Sequence, residues 1–164
     1  MSVQSKIAPE GATTTNPKVL AFVEEAKALF KPEQVVWCDG SEEERKRLTE
    51  YAVSKGILTP LNQQKHPGCY LHRSNSSDVA RVEHLTFICT PTKDEAGPTN
   101  NWMAPDDAYT KLRGLFAGSM KGRTLYVVPY VMGPLNSEHS KIGIEITDSV
   151  YVVLNMGIMT RMGK

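Results

Sequence analysis

The sequence predicts a mixed α/β fold, in which helices flank a mixed sheet. Apolar residues recur at helical spacing in the segments 17–31 and 105–116, which is typical of amphipathic helices. Residues 123–131 are almost continuously apolar, as expected of a strand that is covered on both faces. Residues 141–147 alternate isoleucine with small or polar residues, which predicts a strand with one face in water.

Residues 1–16 have little apolar surface to bury and are expected to form a flexible tail, which leaves residues 17–164 as the domain. At this junction Asn16 has the form of a helix N-cap, and Pro17 suits the first turn of the first helix. The helix is followed by a short strand of buried type at 34–38, which an Asp-Gly pair ends.

The second helix is predicted to begin after Ser41. Ser41 and Glu44 are spaced as in a capping box. Gly56 is suited to its C-terminal end. The acidic run at 42–44 therefore has an explanation in the attraction of carboxylates to a helix N-terminus. A metal site in this run is the less favoured interpretation.

The middle of the chain predicts a short strand at 57–61 and a polar loop at 62–68, after which residues 69–71 lead toward the next turn. A turn at 73–77 follows, because its polar side chains compete for backbone hydrogen bonds. The next stretch, Asp-Val-Ala-Arg-Val-Glu at 78–83, is expected to enter a β-rich segment, because β-branched and aromatic residues follow it.

Arg81 and Glu83 are the candidate functional residues of this stretch. In an extended chain alternate side chains share a face, so these two would point together. A guanidinium held in this way offers a planar fork of donors that matches a carboxylate or a phosphate. The spacing also fits a plainer interpretation, in which both residues form a solvated surface ion pair.

Two more helices are predicted in the C-terminal half. The residues of the helix at 105–116 that should face the core are Ala108, Leu112, Leu115 and Phe116. Thr-Asp-Ser at 147–149 can cap a last helix, which we expect to contain apolar residues as far as Met162. Its methionines are interpreted as core filling.

Composition argues against several classes of protein. The 19 basic and 18 acidic residues nearly balance, which argues against a nucleic-acid-binding surface. No stretch approaches the ~20 apolar residues of a membrane span, and the N-terminus lacks a secretory apolar core, so we expect a soluble, unexported protein. The cysteines are widely spaced without a Cys-x-x-Cys pair, which favours free thiols in a reducing cytosol.

Neither the histidines nor Trp102 is predicted to bind a ligand. The four histidines are not paired at metal-ligand spacing, so none is assigned to a metal and each is expected to be solvated. Trp102 is expected to dock on the core, and stacking against a ligand is the alternative.

Ordered blocks of the chain resemble GTP-dependent phosphoenolpyruvate carboxykinase. The blocks span most of the sequence and are far more specific than a three-residue motif. They are VWCDGSEEE (36–44), SDVARVE (77–83), AGPTNNWM (96–103), MKGRTLYVVP (120–129), MGPL (132–135), SKIGIEITDS (140–149) and IMTRMG (158–163).

The resemblance implies that the chain is part of the N-terminal substrate-binding domain of a longer cytoplasmic enzyme. Such enzymes convert oxaloacetate and GTP to phosphoenolpyruvate, GDP and CO2, a step of gluconeogenesis, with GTP and Mn²⁺ or Mg²⁺ as cofactors. Arg81 falls on the arginine that binds the substrate carboxylate. Glu83 falls on the acidic residue associated with closing the lid over the site.

The resemblance also implies that most of the catalytic machinery lies in a C-terminal catalytic domain, beyond residue 164. The metal ligands and the nucleotide loop of the family lie there, and no Gly-x-x-x-x-Gly-Lys-Ser/Thr loop occurs in the chain. The resemblance therefore implies that neither nucleotide nor metal binds to this chain and that the chain alone is inactive. The alternative is a non-catalytic binding or assembly module that keeps the carboxykinase fold.

Overall fold

The computed structural model describes residues 14–76 and 82–163. Its helices and strands are, in chain order, α1 Pro17–Phe30, β1 Gln34–Trp37, α2 Glu42–Ser54, β2 Thr59–Pro60, β3 Tyr70–Leu71, α3 Pro105–Phe116, β4 Thr124–Met132, β5 Lys141–Thr147, α4 Val150–Met159 and β6 Arg161–Met162. Two 3-10 turns, Glu83–Leu85 and Lys93–Ala96, lie between β3 and α3. None of the described helices is long and apolar enough to cross a membrane.

The main sheet is mixed and is built around β4, which confirms the predicted fold class. β1 pairs with β4 in parallel, with Val36 opposite Tyr126, and β5 pairs antiparallel along the other edge, with Thr147 opposite the same tyrosine. β6 joins the β1 side further along, where Met162 pairs with Tyr130. The antiparallel pair of β2 and β3 forms a separate small sheet.

Both faces of β4 are covered, as its continuous apolar run predicts. On one face α2 and α4 contribute to a core of Val36, Cys38, Leu48, Ala52, Leu58, Tyr126, Val128, Val150, Val153 and Met162. On the other face α1 contributes to a second core of Val23, Trp37, Leu125 and Val127. Burial raises the pKa of Tyr126 to about 12, so its hydroxyl stays protonated at neutral pH.

The start of α1 is set by local hydrogen bonds. The Oδ1 atom of Asn16 accepts from the amide of Lys18 at 3.0 Å, and Pro17 occupies the first turn. The amide of Asn16 donates to Oγ1 of Thr14 at 3.1 Å. The predicted cap is therefore confirmed, whereas most of the predicted tail, residues 1–13, lies outside the described residues.

The capping box at α2 differs in one bond from the predicted pattern. Ser41 Oγ accepts from the Glu44 amide at 3.1 Å, as predicted. Glu44 Oε2, however, accepts from the amides of Asp39 at 3.0 Å and Gly40 at 2.8 Å, while the Ser41 amide donates to Asp39 Oδ1 at 2.7 Å. Glu44 therefore holds the turn between β1 and α2, and its side chain is only 2% exposed.

The β1–α2 turn crosses the segment after β6 at two glycines. Gly40 has φ of +70° and Gly163 has φ of +69°. A Cβ atom on Gly40 would lie 2.5 Å from the carbonyl oxygen of Met162, and one on Gly163 would overlap the carbonyl oxygen of Asp39. The Gly163 amide also donates to the Pro129 carbonyl at 2.8 Å. The crossing therefore joins β1, β4 and β6 without room for a side chain.

The prediction of a β-rich segment from 78–83 onward is wrong for the described part of this stretch, which begins at residue 82. Glu83–Leu85 forms a 3-10 turn, and Ile88 makes only an isolated bridge with Trp102. Leu85 is 61% exposed, so no sheet covers it. The strand-forming side chains of this segment do not decide its structure. Its backbone groups form hydrogen bonds within the turn and with Asn101, and not with a neighbouring strand.

The helix α3 has its predicted bounds, but most of its predicted core-facing residues are wrong. Ala108 is buried, whereas Leu112, Leu115 and Phe116 are 48%, 68% and 45% exposed. They border an apolar groove of about 760 Å³ between α1 and α3, where the rings of Phe30 and Phe116 lie 5.4 Å apart. Periodicity identifies the apolar face of a helix but not whether another element covers it.

The last helix is shorter than predicted. α4 ends at Met159, because residues 161–162 leave the helix to pair with β4 as β6. Met162 is buried as core filling, whereas Met159 is 74% exposed, so the core interpretation is wrong for that methionine.

Candidate functional site

Glu83 lies in an exposed 3-10 turn in which no residue is buried. Within the turn, the Leu85 amide donates to the Val82 carbonyl at 2.8 Å, and the Thr86 amide donates to the Glu83 carbonyl at 3.2 Å. The Thr86 hydroxyl donates to the same Val82 carbonyl at 3.1 Å. Hydrogen bonds rather than apolar packing therefore give this turn its shape.

Asn101 attaches the turn to the loop before α3. Its Nδ2 atom donates to the carbonyl of Glu83 at 2.8 Å and to the carbonyl of Thr86 at 3.2 Å. Because both partners can only accept, the side-chain atom facing them must be the NH₂ donor. One amide side chain thus bridges the first residue of the turn and the residue that follows it.

The residues after the turn are attached to the same loop. The Ile88 amide donates to the Asn101 carbonyl at 2.8 Å, and the Met103 amide donates to the Ile88 carbonyl at 3.2 Å. The indole Nε1 of Trp102 donates to the Thr90 carbonyl at 3.0 Å. Trp102 belongs to neither core cluster, so its predicted docking on the core is wrong; it braces this segment instead.

His72 anchors the chain on the other side of the candidate stretch. Its ring is stacked on that of Tyr151 in α4, with centroids 3.8 Å apart, and Nδ1 lies 2.8 Å from the Ile57 carbonyl. A carbonyl only accepts, so Nδ1 carries the proton. His72 is half-buried, and its predicted solvated state is therefore wrong. Arg81 lies outside the described residues, so its predicted orientation beside Glu83 stays a prediction.

An open groove of about 1040 Å³ runs between α2, the β2–β3 pair and α4, and His72 and Tyr151 lie in its wall. Its charged residues are of both signs: Glu42, Glu43, Arg45, Lys46 and Glu50. Such mixed charge creates no strong positive potential. The groove therefore has no excess of positive charge that would attract a small dianion.

The described residues form no site for a divalent metal, which the resemblance assigns to residues beyond this chain. Within 14–76 and 82–163, no group of three or more His, Cys, Asp or Glu side chains could hold a metal ion. Burial raises the pKa of Glu44, and its Oε2 atom is already occupied by the Asp39 and Gly40 amides. Glu44 therefore holds the turn between β1 and α2 and is not a metal ligand.

All three cysteines are unpaired, which confirms the predicted free thiols. Burial raises the pKa of the Cys38 thiol, and the nearby Glu44 carboxylate raises it further. Because the thiolate is the reactive form, Cys38 is an inert core residue rather than a candidate nucleophile. Cys69 and Cys89 are exposed.

Comparison with known sequences identifies the family. The family model described as the phosphoenolpyruvate carboxykinase N-terminal domain matches residues 21–164. The chain belongs to this family. The resemblance based on the ordered blocks is therefore confirmed, and the carboxykinase N-terminal domain accounts for both the main sheet and the loop that holds Glu83.

Relatives with the name phosphoenolpyruvate carboxykinase (GTP) match almost the whole chain. The relative from Anaeromyxobacter dehalogenans (strain 2CP-C) is 67% identical over 156 residues, which cover 95% of this chain and 26% of that protein. The relative from Corynebacterium jeikeium (strain K411) is 56% identical over 153 residues, or 93% of this chain and 25% of the relative. The relative from Neocallimastix frontalis is 52% identical over 153 residues, with the same coverage. The chain thus spans about a quarter of these carboxykinases.

The sequence does not identify Asn101 as the residue that holds the turn of the candidate residue Glu83. The run of Gly, Pro, Thr and Asn at 97–101 predicts a turn, and a turn-rich loop is what the structure shows. Its partner at Glu83 lies 18 residues earlier in the chain. No local pattern in the sequence indicates a pairing over that separation.

Proposed function

We propose that this chain is part of the substrate-binding domain of a cytoplasmic, GTP-dependent phosphoenolpyruvate carboxykinase. The observation that carries the proposal is the family match over residues 21–164, together with relatives of that name that are about four times as long. The three unpaired cysteines suit the reducing cytoplasm, which supports the location.

The reaction has two steps. Oxaloacetate loses its carboxylate as CO2, and the electron pair of the broken C–C bond forms the enolate of pyruvate. The enolate oxygen then attacks the γ-phosphorus of GTP, which yields phosphoenolpyruvate and GDP. The protein must hold a dianion beside the nucleotide and exclude water, because a proton donated to the enolate carbon would give pyruvate instead.

In this proposal Arg81 binds the carboxylate that both oxaloacetate and phosphoenolpyruvate retain. A guanidinium can donate two parallel hydrogen bonds to one carboxylate, which fixes the orientation of the substrate as well as its charge. Glu83 takes part in lid closure over the bound substrates. GTP and Mn²⁺ or Mg²⁺ are bound by residues outside this chain, in the C-terminal catalytic domain.

The 164-residue chain and a polypeptide extended through its reading frame to the relatives' length are expected to differ in activity. The extended protein should form phosphoenolpyruvate from oxaloacetate and GTP. The chain alone should form none, because its sequence has no nucleotide loop and its described residues hold no metal-binding group. Phosphoenolpyruvate is measured by a coupled assay with a divalent cation present. An inactive extended protein that is folded would favour the binding or assembly module.

A second expected result concerns Glu83 in the extended protein. Replacing Glu83 with alanine should lower kcat by roughly tenfold or more, because a poorly closed lid admits water to the enolate. The fraction of product released as pyruvate should rise, since the enolate would be protonated before phosphoryl transfer. Product partition is measured by separate assays for pyruvate and phosphoenolpyruvate. Unchanged kcat and unchanged partition would contradict the role of Glu83.

A further inference from the structure

We infer that Asn101 is a positioning residue that sets the orientation of the Glu83 turn. The inference rests on the proposed function, because it concerns the turn to which lid closure is assigned. Asn101 does not touch the substrate in this account. It acts through the two hydrogen bonds that its Nδ2 donates to the carbonyls of Glu83 and Thr86.

The first support is that the described residues offer the turn little else to hold it. None of the three residues of Glu83–Leu85 is buried, and Val82 and Leu85 are 36% and 61% exposed. Among the described residues, the hydrogen bonds that reach residues 82–86 from outside the turn come from Asn101. A segment with little apolar packing takes its orientation largely from such bonds.

The second support is that Asn101 is itself well fixed. Its carbonyl accepts from the Ile88 amide at 2.8 Å, and the following residue, Trp102, pairs with Ile88. The Trp102 indole also bonds to the Thr90 carbonyl at 3.0 Å. The bond from Asn101 to Glu83 therefore joins the turn to a braced loop rather than to another unsupported segment.

The test uses Asn101→Asp in the extended enzyme. Aspartate has nearly the same size as asparagine, but it replaces the NH₂ donor with an acceptor that faces two carbonyl oxygens. We expect kcat to fall about tenfold through the loss of both hydrogen bonds, while the KM for GTP stays unchanged. In the Glu83→Ala background the same substitution should add less than twofold, because Asn101 acts through Glu83.

The matched control is Asn100→Asp. The neighbouring Asn100 Nδ2 donates to the Ala96 carbonyl at 2.7 Å, and among the described residues it makes no hydrogen bond to the Glu83 turn. This variant should retain wild-type kcat. If Asn101→Asp does not fold, as judged by its thermal unfolding, Asn101→Ala removes the donor without adding a repulsive oxygen and should show the same dependence on Glu83.

The outcomes separate this inference from the proposed function. If the wild-type extended enzyme forms no phosphoenolpyruvate, the proposed function fails first. If the wild type is active and Glu83→Ala impairs it, but Asn101→Asp behaves like Asn100→Asp, the positioning role is wrong. A loss on Asn101→Asp that is equally large with and without Glu83 would also overturn it, because the effect would then be a general one on the fold.

Discussion

Replacing Arg81 with alanine in the extended enzyme is expected to raise the KM for oxaloacetate and for phosphoenolpyruvate by roughly a hundredfold. The reason is the loss of a cation and of two charge-assisted hydrogen bonds to the carboxylate that both molecules share. The KM for GTP should change little, since other residues bind the nucleotide. Initial rates with each substrate varied in turn, in both reaction directions, measure the effect.

Arg73→Ala provides the control for net charge. Arg73 is an exposed arginine upstream of the same stretch, and its removal subtracts the same charge. Arg81→Lys should lie between wild type and Arg81→Ala, because lysine keeps the charge but not the planar fork. Equal losses for Arg73→Ala and Arg81→Ala would show that long-range charge rather than direct binding is responsible.

Replacing Gly163 with alanine is expected to lower the free energy of unfolding by about 4 kcal/mol or to prevent folding altogether. The backbone at Gly163 has φ of +69°, and a Cβ atom there would overlap the carbonyl oxygen of Asp39. Because the obstacle is backbone, no side chain can rotate away to make room. Urea unfolding followed by circular dichroism measures the loss.

Gly56→Ala is the matched control for this effect. Gly56 has the same φ of +69°, but a Cβ atom there would meet nothing within 4 Å. Its replacement should therefore cost only about 1 kcal/mol, from the left-handed backbone conformation. Equal losses for both variants would mean that the crossing of Asp39 and Gly163 does not contribute to stability.

Features set by neighbouring residues could be predicted from the sequence. The start of α1 follows from Asn16 and Pro17, because an N-cap and a first-turn proline act within one helical turn. The burial of both faces of β4 follows from its continuous apolar run. The first bond of the Ser41 cap follows from the same kind of local pattern.

Features that depend on distant partners could not be predicted. Leu115 is apolar and correctly spaced on α3, yet 68% of it is exposed, because no described element covers that face. The residues from Glu83 onward favour strands, yet they bond to Asn101 and form a turn. The family resemblance therefore indicates the candidate residues Arg81 and Glu83. Only the structure shows that the loop at Asn101 supports Glu83.

Direct binding of phosphoenolpyruvate to Arg81 is the step on which the proposed function depends. Titration calorimetry of the extended enzyme with phosphoenolpyruvate, without nucleotide, measures that step apart from turnover. The expected result is saturable binding by the wild type, a Kd about a hundredfold higher for Arg81→Ala, and an unchanged Kd for Arg73→Ala. The same Kd for wild type and Arg81→Ala would contradict the assignment of Arg81 to the substrate carboxylate.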